Sequence, residues 1–282
     1  MQYMKKYVQE ATDENIWTSI KNNTFGRNKD INDFIDGLEL IDESACISLD
    51  AKWGDGKTFF VRQIEEVLKY VLANQRADEE NPIEKLPSYE YLKDNEMMAK
   101  IDLKHSYLPI YYNAWMYDNH SDPLMSLLLV MTKTCRGVYD TKIDSEKISK
   151  KLVEALATLP ISLGEFKANP FTAIEKLQGK SMDILSLVQT EEEIRERVKG
   201  IFNDIIVERA QKLVIFIDEL DRCRPSFAIE MLERIKHYFD DERVIFVVSL
   251  NKEQLIHTIT NYYGSGFDAT RYLNKFFDVN IN

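Results

Sequence analysis

A short glycine-containing loop between a strand-like and a helix-like segment carries the residues best suited to chemistry. Residues 51–58 read Ala-Lys-Trp-Gly-Asp-Gly-Lys-Thr and end in the Gly-Lys-Thr of a phosphate-binding loop, with alanine in place of the first glycine. Gly54 and Gly56 let the backbone turn its N–H groups inward as an anion nest. The N-terminus of the following helix adds partial positive charge. The pattern predicts a phosphate site, and an isolated glycine turn is the alternative.

The side chains of this loop have separate expected roles. Lys57 is expected to reach the β- and γ-phosphates of a nucleotide as a point charge, and Thr58 to ligate Mg²⁺ through its hydroxyl. The residues expected to contact the nucleotide are Trp53, Gly54, Asp55, Gly56, Lys57, Thr58 and Phe59.

Two acids follow the long apolar run at 212–217. Asp218 and Glu219 end this run, and carboxylates at the carboxyl end of a buried strand lie where α/β sheets bind ligands. Asp218 is expected to hold Mg²⁺ opposite Thr58. Glu219 is the candidate general base for an attacking water. The alternative is an acidic pair favoured by the dipole of a following helix.

Three further polar residues each allow two interpretations. Asn251 ends the apolar run 243–250 and can orient the water or read the γ-phosphate, or it can cap the next helix. Arg222 can act as an arginine finger toward a neighbouring subunit, or as a structural ion-pair partner. Arg271 is the weaker candidate for the finger. The four histidines have no mutual metal-ligand spacing and are assigned no chemistry.

The elements that must position these groups alternate along the chain. Apolar, β-branched runs predict buried strands, and helical spacing of apolar residues separates them. The predicted strands are 45–50, 108–115, 212–219 and 243–250, with a short strand-like end at 277–281. The predicted helices are 31–41, 58–72, 124–135, 145–159, 171–187, 191–210, 225–239, 252–260 and 269–277. This alternation predicts an α/β fold in which helices cover both faces of a parallel sheet.

The same pattern divides the chain into a lead-in and a domain. Residues 1–24 are a polar lead-in without visible chemistry, either a short helix laid on the domain or a partly mobile segment. Residues 25–282 form the domain. A mainly helical insertion at 124–211 separates the phosphate loop from the acidic strand.

Composition excludes several classes of protein. A formal net charge of −11 argues against the broad basic face of a duplex-wrapping protein, although local basic patches leave nucleic acid open. Three cysteines without C-x-x-C spacing imply neither a disulfide framework nor a zinc site. A reducing cytoplasm fits best. No apolar run approaches the roughly 18 residues of a spanning helix.

Three motifs, in the expected order, resemble those of the KAP family of P-loop NTPases. Residues 52–58 resemble its W-G-x-G-K-[ST] loop, 113–115 with 122–124 its segment after the second strand, and 217–223 its I-D-[DE]-L-D-R-C acidic motif. The resemblance covers about residues 25–282. It implies a P-loop fold of the additional-strand, catalytic-glutamate (ASCE) type with ATP and Mg²⁺ as cofactors. Bacterial members include predicted ATPases tied to phage exclusion.

Two departures from the family pattern qualify this resemblance. Many members carry transmembrane helices between the loop and the acidic motif, whereas that region is soluble in composition here. The resemblance therefore implies the soluble, bacterial subgroup. The sequence also stops after the fifth strand, so the C-terminal helical region that similar proteins place over the nucleotide is expected to be absent, as in a truncated chain.

A turn ahead of the phosphate loop carries a second, smaller resemblance. Phe25-Gly26-Arg27 resembles the segment that covers the adenine base in many AAA+ and STAND nucleotide-binding proteins. These residues are expected to border the base, and a plain helix-entry turn is an equal alternative.

The leading functional hypothesis is a Mg²⁺-dependent ATPase whose hydrolysis drives a conformational or assembly step. A homo-oligomer or a partner protein is its expected assembly. A second hypothesis is a switch that oligomerises and signals on binding ATP, with little turnover. A small-molecule kinase is the third, and the insertion shows no arginine-dense segment resembling the basic lid that it needs.

Overall fold

Five parallel strands within the described residues form one sheet. The computed structural model describes residues 10–78, 82–120, 122–137, 196, 199–200, 210–238 and 241–282. Its strands are β1 (Ala45–Asp50), β2 (Tyr107–Asn113), β3 (Lys212–Asp218), β4 (Val244–Leu250) and β5 (Val279–Ile281). Their order is β2-β3-β4-β1-β5, and every neighbouring pair is parallel. The predicted α/β fold with a parallel sheet is confirmed.

Helices cover both faces of this sheet. They are α1 (Asp13–Lys21), α2 (Asn28–Leu38), α3 (Lys57–Gln75), α4 (Tyr89–Leu92), α5 (Pro123–Gly137), α6 (Pro225–Tyr238), α7 (Lys252–Tyr263) and α8 (Ala269–Leu273). No helix in the described part of the chain is both long and apolar enough to cross a bilayer.

The surroundings of β3 explain why its residues 213–217 are all apolar. Leu213, Ile215 and Ile217 belong to a buried cluster that also contains residues of α5, α6, α7 and α8. The alternate residues Val214 and Phe216 belong to a second cluster with residues of α1, α2 and α3. Successive side chains point to opposite faces of a strand, so a sheet with helices on both sides buries all of them.

Part of the predicted helical insertion lies outside the described residues. This is so for the predicted helices 145–159 and 171–187. The predicted helix 191–210 is described only at 196, 199–200 and 210, and the first three of these positions are helical. The predicted helix at 124–135 is observed as α5.

The last predicted helix ends earlier than its apolar pattern suggested. It was predicted over 269–277, but α8 stops at Leu273. The reason lies in the following turn, because the chain must enter the sheet beside β1. Asp278 makes two contacts with Cys46 there, one from its backbone N–H to the Cys46 carbonyl and one from the Cys46 N–H to its carboxylate, each 2.8 Å.

Helix α1 is packed firmly on α3, although it belongs to the predicted lead-in. Ile16 and Ile20 are fully buried. The Trp17 indole N–H donates to the Glu66 carboxylate at 2.6 Å. A domain boundary after residue 24 stays a prediction, and the buried face of α1 contributes to the same core as the sheet.

We expect Ile20→Ala to lower the free energy of unfolding by about 2–5 kcal/mol, because it removes buried methyl groups and leaves a cavity. Leu40→Ala is the control, since Leu40 is 83% exposed and its truncation should cost less than about 0.5 kcal/mol. Urea unfolding measures both. Equal costs would show that α1 contributes nothing to the core.

Candidate nucleotide site

The strand order brings the predicted groups to one edge of the sheet. Strand β4 lies between β1 and β3, with Asp50 opposite Leu250 and Asp218 opposite Ser249. The carboxyl ends of parallel strands meet at the same edge. The phosphate loop after β1, Asn251 after β4 and the acids at the end of β3 therefore open on the same side.

A cavity of about 520 Å³ lies at this edge. Its walls include the whole predicted contact set, residues 53–59, together with Asp218, Glu219 and Arg222. Asn251 is not part of the lining. The sheet thus unites the loop and the acids in one concave site, which is the form that small-molecule sites take.

The phosphate loop adopts the backbone conformation that its glycines allow. Gly54 and Gly56 have φ values of 92° and 84°, in the left-handed region that favours glycine. Arg27 supports the loop by donating to the carbonyls of Asp55 at 3.0 Å and Gly56 at 3.3 Å. A Cβ at position 56 would lie 3.2 Å from the Arg27 guanidinium, so a side chain there would also displace Arg27 slightly.

Arg27 and Phe25 thus have different surroundings, although the sequence grouped them in one turn. Arg27 lies against the loop backbone, while Phe25 is 92% exposed with a φ of 59°. Both line the cavity. Their predicted position beside a base stays a prediction.

Lys57 is held by its own loop. Its ammonium donates to the carbonyl of Lys52 at 3.1 Å and to that of Ala51. The Asp55 carboxylate accepts from the Lys52 N–H at 3.0 Å and tightens the turn. The Lys57 charge therefore lies beside the anion nest, paired only with neutral carbonyls among the described contacts.

Asp218 is a buried carboxylate, 1% exposed. One of its oxygens accepts from the backbone N–H of Glu219 and the other from the Tyr111 hydroxyl, both at 3.0 Å. Burial and the nearby Asp218 charge raise the pKa of Tyr111, which keeps its hydroxyl protonated as a donor. Two fixed donors therefore hold the carboxylate in one orientation.

Thr58 and Asp218 suit a magnesium ion by donor chemistry. Both line the cavity, and a hydroxyl and a carboxylate are oxygen ligands of the kind that Mg²⁺ takes. The described residues contain no group of three or more His, Cys, Asp or Glu side chains that could hold an ion. Mg²⁺ in phosphate sites takes few protein carboxylates and completes its shell with phosphate and water, so the donor set fits.

Glu219 is held in an unusual conformation with both oxygens paired. Its φ of 61° is left-handed, and such strain in a non-glycine residue clusters at functional sites. One carboxylate oxygen lies 2.8 Å from the Arg222 guanidinium. The other accepts from the Asn113 amide at 3.0 Å.

The sequence did not single out Asn113 for this contact. Its available signal was its place in the 113–115 segment that resembles the KAP family. Its contact with Glu219 could be predicted only once Asn113 was known to lie opposite Asp218 in the strand register.

Trp53 joins the loop to the acidic motif. Its indole N–H donates to the buried Asp221 carboxylate at 2.6 Å. The ring itself stays half exposed and lines the cavity. Asp221 lies in the short 3₁₀ turn Leu220–Arg222, so this single bond connects the two walls of the site.

The loop at 52–58 and the acidic motif at 217–223 thus line one cavity, and Asn113 of the intermediate motif contacts Glu219. The KAP family P-loop domain model matches residues 27–282. The chain belongs to the KAP family of P-loop NTPases. This family membership indicates that the domain binds a nucleotide. It is also similar to a Methanocaldococcus jannaschii protein named "Uncharacterized protein MJ0182", at 26% identity over 173 residues, which cover 50% of this chain and 89% of that protein.

In this KAP domain, Asn251 caps a helix and Arg222 forms an ion pair, as the structural alternatives to their catalytic roles predicted. The Asn251 side-chain oxygen accepts from the Gln254 N–H at 3.1 Å and caps α7. Arg222 pairs with Glu219 of its own chain, and its guanidinium lies 5.6 Å from the Trp115 ring centre. Their catalytic roles stay proposals.

We expect Trp53→Phe to lower the free energy of unfolding of this KAP domain by about 1–3 kcal/mol, because the buried Asp221 carboxylate loses its donor. Trp115→Phe is a matched control, since both tryptophans are 53% exposed. Its cost should be below about 0.5 kcal/mol. Urea unfolding followed by circular dichroism compares them, and equal costs would contradict a clamping role for Trp53.

Proposed function

We propose that this KAP domain is a Mg²⁺-dependent ATPase whose hydrolysis drives a conformational or assembly step. One observation carries the proposal. A single cavity combines a phosphate loop, a buried carboxylate suited to a metal and a glutamate directly beside it. These are the parts that phosphoryl transfer from a nucleotide to water requires.

The loop would bind the phosphates by exchanging partners. Lys57 would leave the carbonyls of Ala51 and Lys52 and bind the γ-phosphate, since a charged acceptor makes the stronger hydrogen bond. Thr58 and Asp218 would hold Mg²⁺. When bound, the ion neutralises charge on the β- and γ-phosphates.

Glu219 would then accept the proton of the attacking water. At present Arg222 and Asn113 each bind one of its oxygens, so the water could reach only the remaining lone-pair positions. The γ-phosphate offers Arg222 another anion, so nucleotide binding would release that side of Glu219. Asn113 would keep the other side oriented.

The base would lie against the apolar part of the cavity wall. Ala11, Phe25 and Phe59 belong to this lining, and an apolar or aromatic surface is the usual surrounding of a heterocyclic base. The preference for adenine rests on the family. Titration of the wild type with ATP and with GTP tests this preference, and equal affinities for the two nucleotides would contradict it.

We expect Glu219→Gln to bind ATP with wild-type affinity and to lose turnover by about 10²–10⁴-fold, because the general base is gone. Lys57→Ala should lose binding itself. Glu253→Gln is the control, since Glu253 is an exposed residue of α7 outside the cavity. Phosphate release and equilibrium nucleotide binding provide the readouts.

Two outcomes of these measurements would count against the proposal. Unchanged turnover in Glu219→Gln removes Glu219 from the role of base. Absence of nucleotide binding by the wild type would refute the proposed ATPase activity.

A nucleotide-operated switch with little turnover is the second candidate. It is favoured by the paired state of Glu219 and by two exposed aromatic side chains, Phe25 in the cavity wall and Trp115 against the Arg222 of that wall. Exposed apolar groups together mark interaction surfaces, so a second copy or a partner protein would bind there.

Sedimentation with and without ATP distinguishes the switch from the ATPase. Assembly on ATP with negligible phosphate release supports the switch. A role in phage defence, which the resemblance to bacterial family members suggests, requires a cellular test. A small-molecule kinase stays an untested hypothesis.

A further inference from the structure

Two alternate residues of β2 hold the two acids of the site. Asn113 donates to Glu219 and Tyr111 donates to Asp218, each at 3.0 Å. Residues two apart on a strand share one face of the sheet. Strand β2 therefore presents one hydrogen-bond donor to each carboxylate from the side away from β4.

Tyr111 contacts the site only through Asp218. It is not part of the cavity lining, so it cannot touch a nucleotide in this arrangement. Its hydroxyl occupies one oxygen of a carboxylate that is almost fully buried. Without that bond, the carboxylate would keep only the N–H of Glu219 and could rotate about its own bond to the chain.

The Tyr111 ring is itself held by α3. The Arg62 guanidinium lies 4.8 Å from the ring centre, within the range of a cation–π contact. Arg62 is in turn paired with Asp13 of α1 at 2.8 Å and with Glu65. Contacts therefore run without a gap from α1 through α3 and β2 to the proposed metal carboxylate.

We propose that Tyr111 is the positioning residue for Asp218 and that Arg62 holds it in place, so that together they set the affinity of the site for Mg²⁺. The inference rests on the proposed function. Groups that orient a metal ligand commonly contribute about 10–100-fold in metal affinity. The lead-in helix α1 would thereby support the metal site, a role that its sequence did not suggest.

The test measures how Mg²⁺ changes the equilibrium binding of a nucleotide, in the absence of catalysis. A fluorescent, non-hydrolysable ATP analogue is titrated first in EDTA and then, at a fixed subsaturating concentration, with increasing Mg²⁺. We expect Tyr111→Phe to raise the Mg²⁺ concentration at half-effect about tenfold. Its affinity for the analogue in EDTA should equal that of the wild type, because the cavity lining is unchanged.

Tyr112→Phe is the matched control. Tyr112 is the neighbouring residue of the same strand, and its hydroxyl lies 2.7 Å from that of Ser126 on the opposite side of the sheet. The substitution removes an equivalent buried hydroxyl without touching Asp218. Its Mg²⁺ midpoint should equal that of the wild type, whereas a purely structural effect would shift both variants alike.

Arg62→Lys provides a second variant in case Tyr111→Phe fails to fold. It keeps the charge toward Asp13 and Glu65 but replaces the flat guanidinium over the ring, so the Mg²⁺ midpoint should rise in the same direction. Thermal unfolding confirms that each variant is folded. An unchanged midpoint in a folded Tyr111→Phe, or in Arg62→Lys if only that variant folds, overturns the inference.

Failure of the inference is distinguishable from failure of the proposed function. If the wild type binds no analogue in EDTA or in Mg²⁺, the nucleotide site itself is refuted. If the wild type binds the analogue and responds to Mg²⁺ while Tyr111→Phe matches it, only the role of Tyr111 is refuted.

Discussion

The buried carboxylate of Asp218 is the constraint on which the rest of the site depends. A charge removed from water is costly unless hydrogen bonds or an opposite charge compensate it. At 1% exposure, Asp218 receives a hydrogen bond on each oxygen, from Tyr111 and from the backbone of Glu219. The second bond accompanies the left-handed conformation of Glu219. The proposed metal ligand and the proposed base are therefore coupled through one peptide unit.

The same coupling extends outward through contacts between elements. The phosphate loop is tied to the acidic motif by Trp53 and Asp221, and to the turn before α2 by Arg27. The Asp221 carboxylate is buried and accepts a hydrogen bond from Trp53 of the loop. Because a buried polar group without a partner is costly, this bond stabilises the loop and the acidic motif in one common arrangement.

Local pattern was sufficient for most of the fold. The runs that became β3 and β4 each contain at least five consecutive apolar residues, 213–217 and 244–248, which predicts strands covered on both faces. Helix spacing after the loop predicted α3, and its observed end at Gln75 lies close to the predicted one. The end of α8 was predicted wrongly, because its apolar pattern continued into residues that pack as a turn leading to β5. The spacing of apolar residues indicates which positions are buried, and a helix and a buried turn can both produce the same spacing.

The sequence by itself determined the chemical groups, which are the Gly-Lys-Thr loop and the Asp-Glu pair, and the family, which the match to residues 27–282 confirmed. The tertiary structure alone decided which residues support them. Tyr111, Asn113 and Trp53 are each far along the chain from the acids they contact. Hydrogen bonds act only over about 3 Å, so these pairs form only after the strand order has placed β2 beside β3 and the end of β1 near the end of β3. The local spacing of apolar residues contains no information about the order of the strands in the sheet.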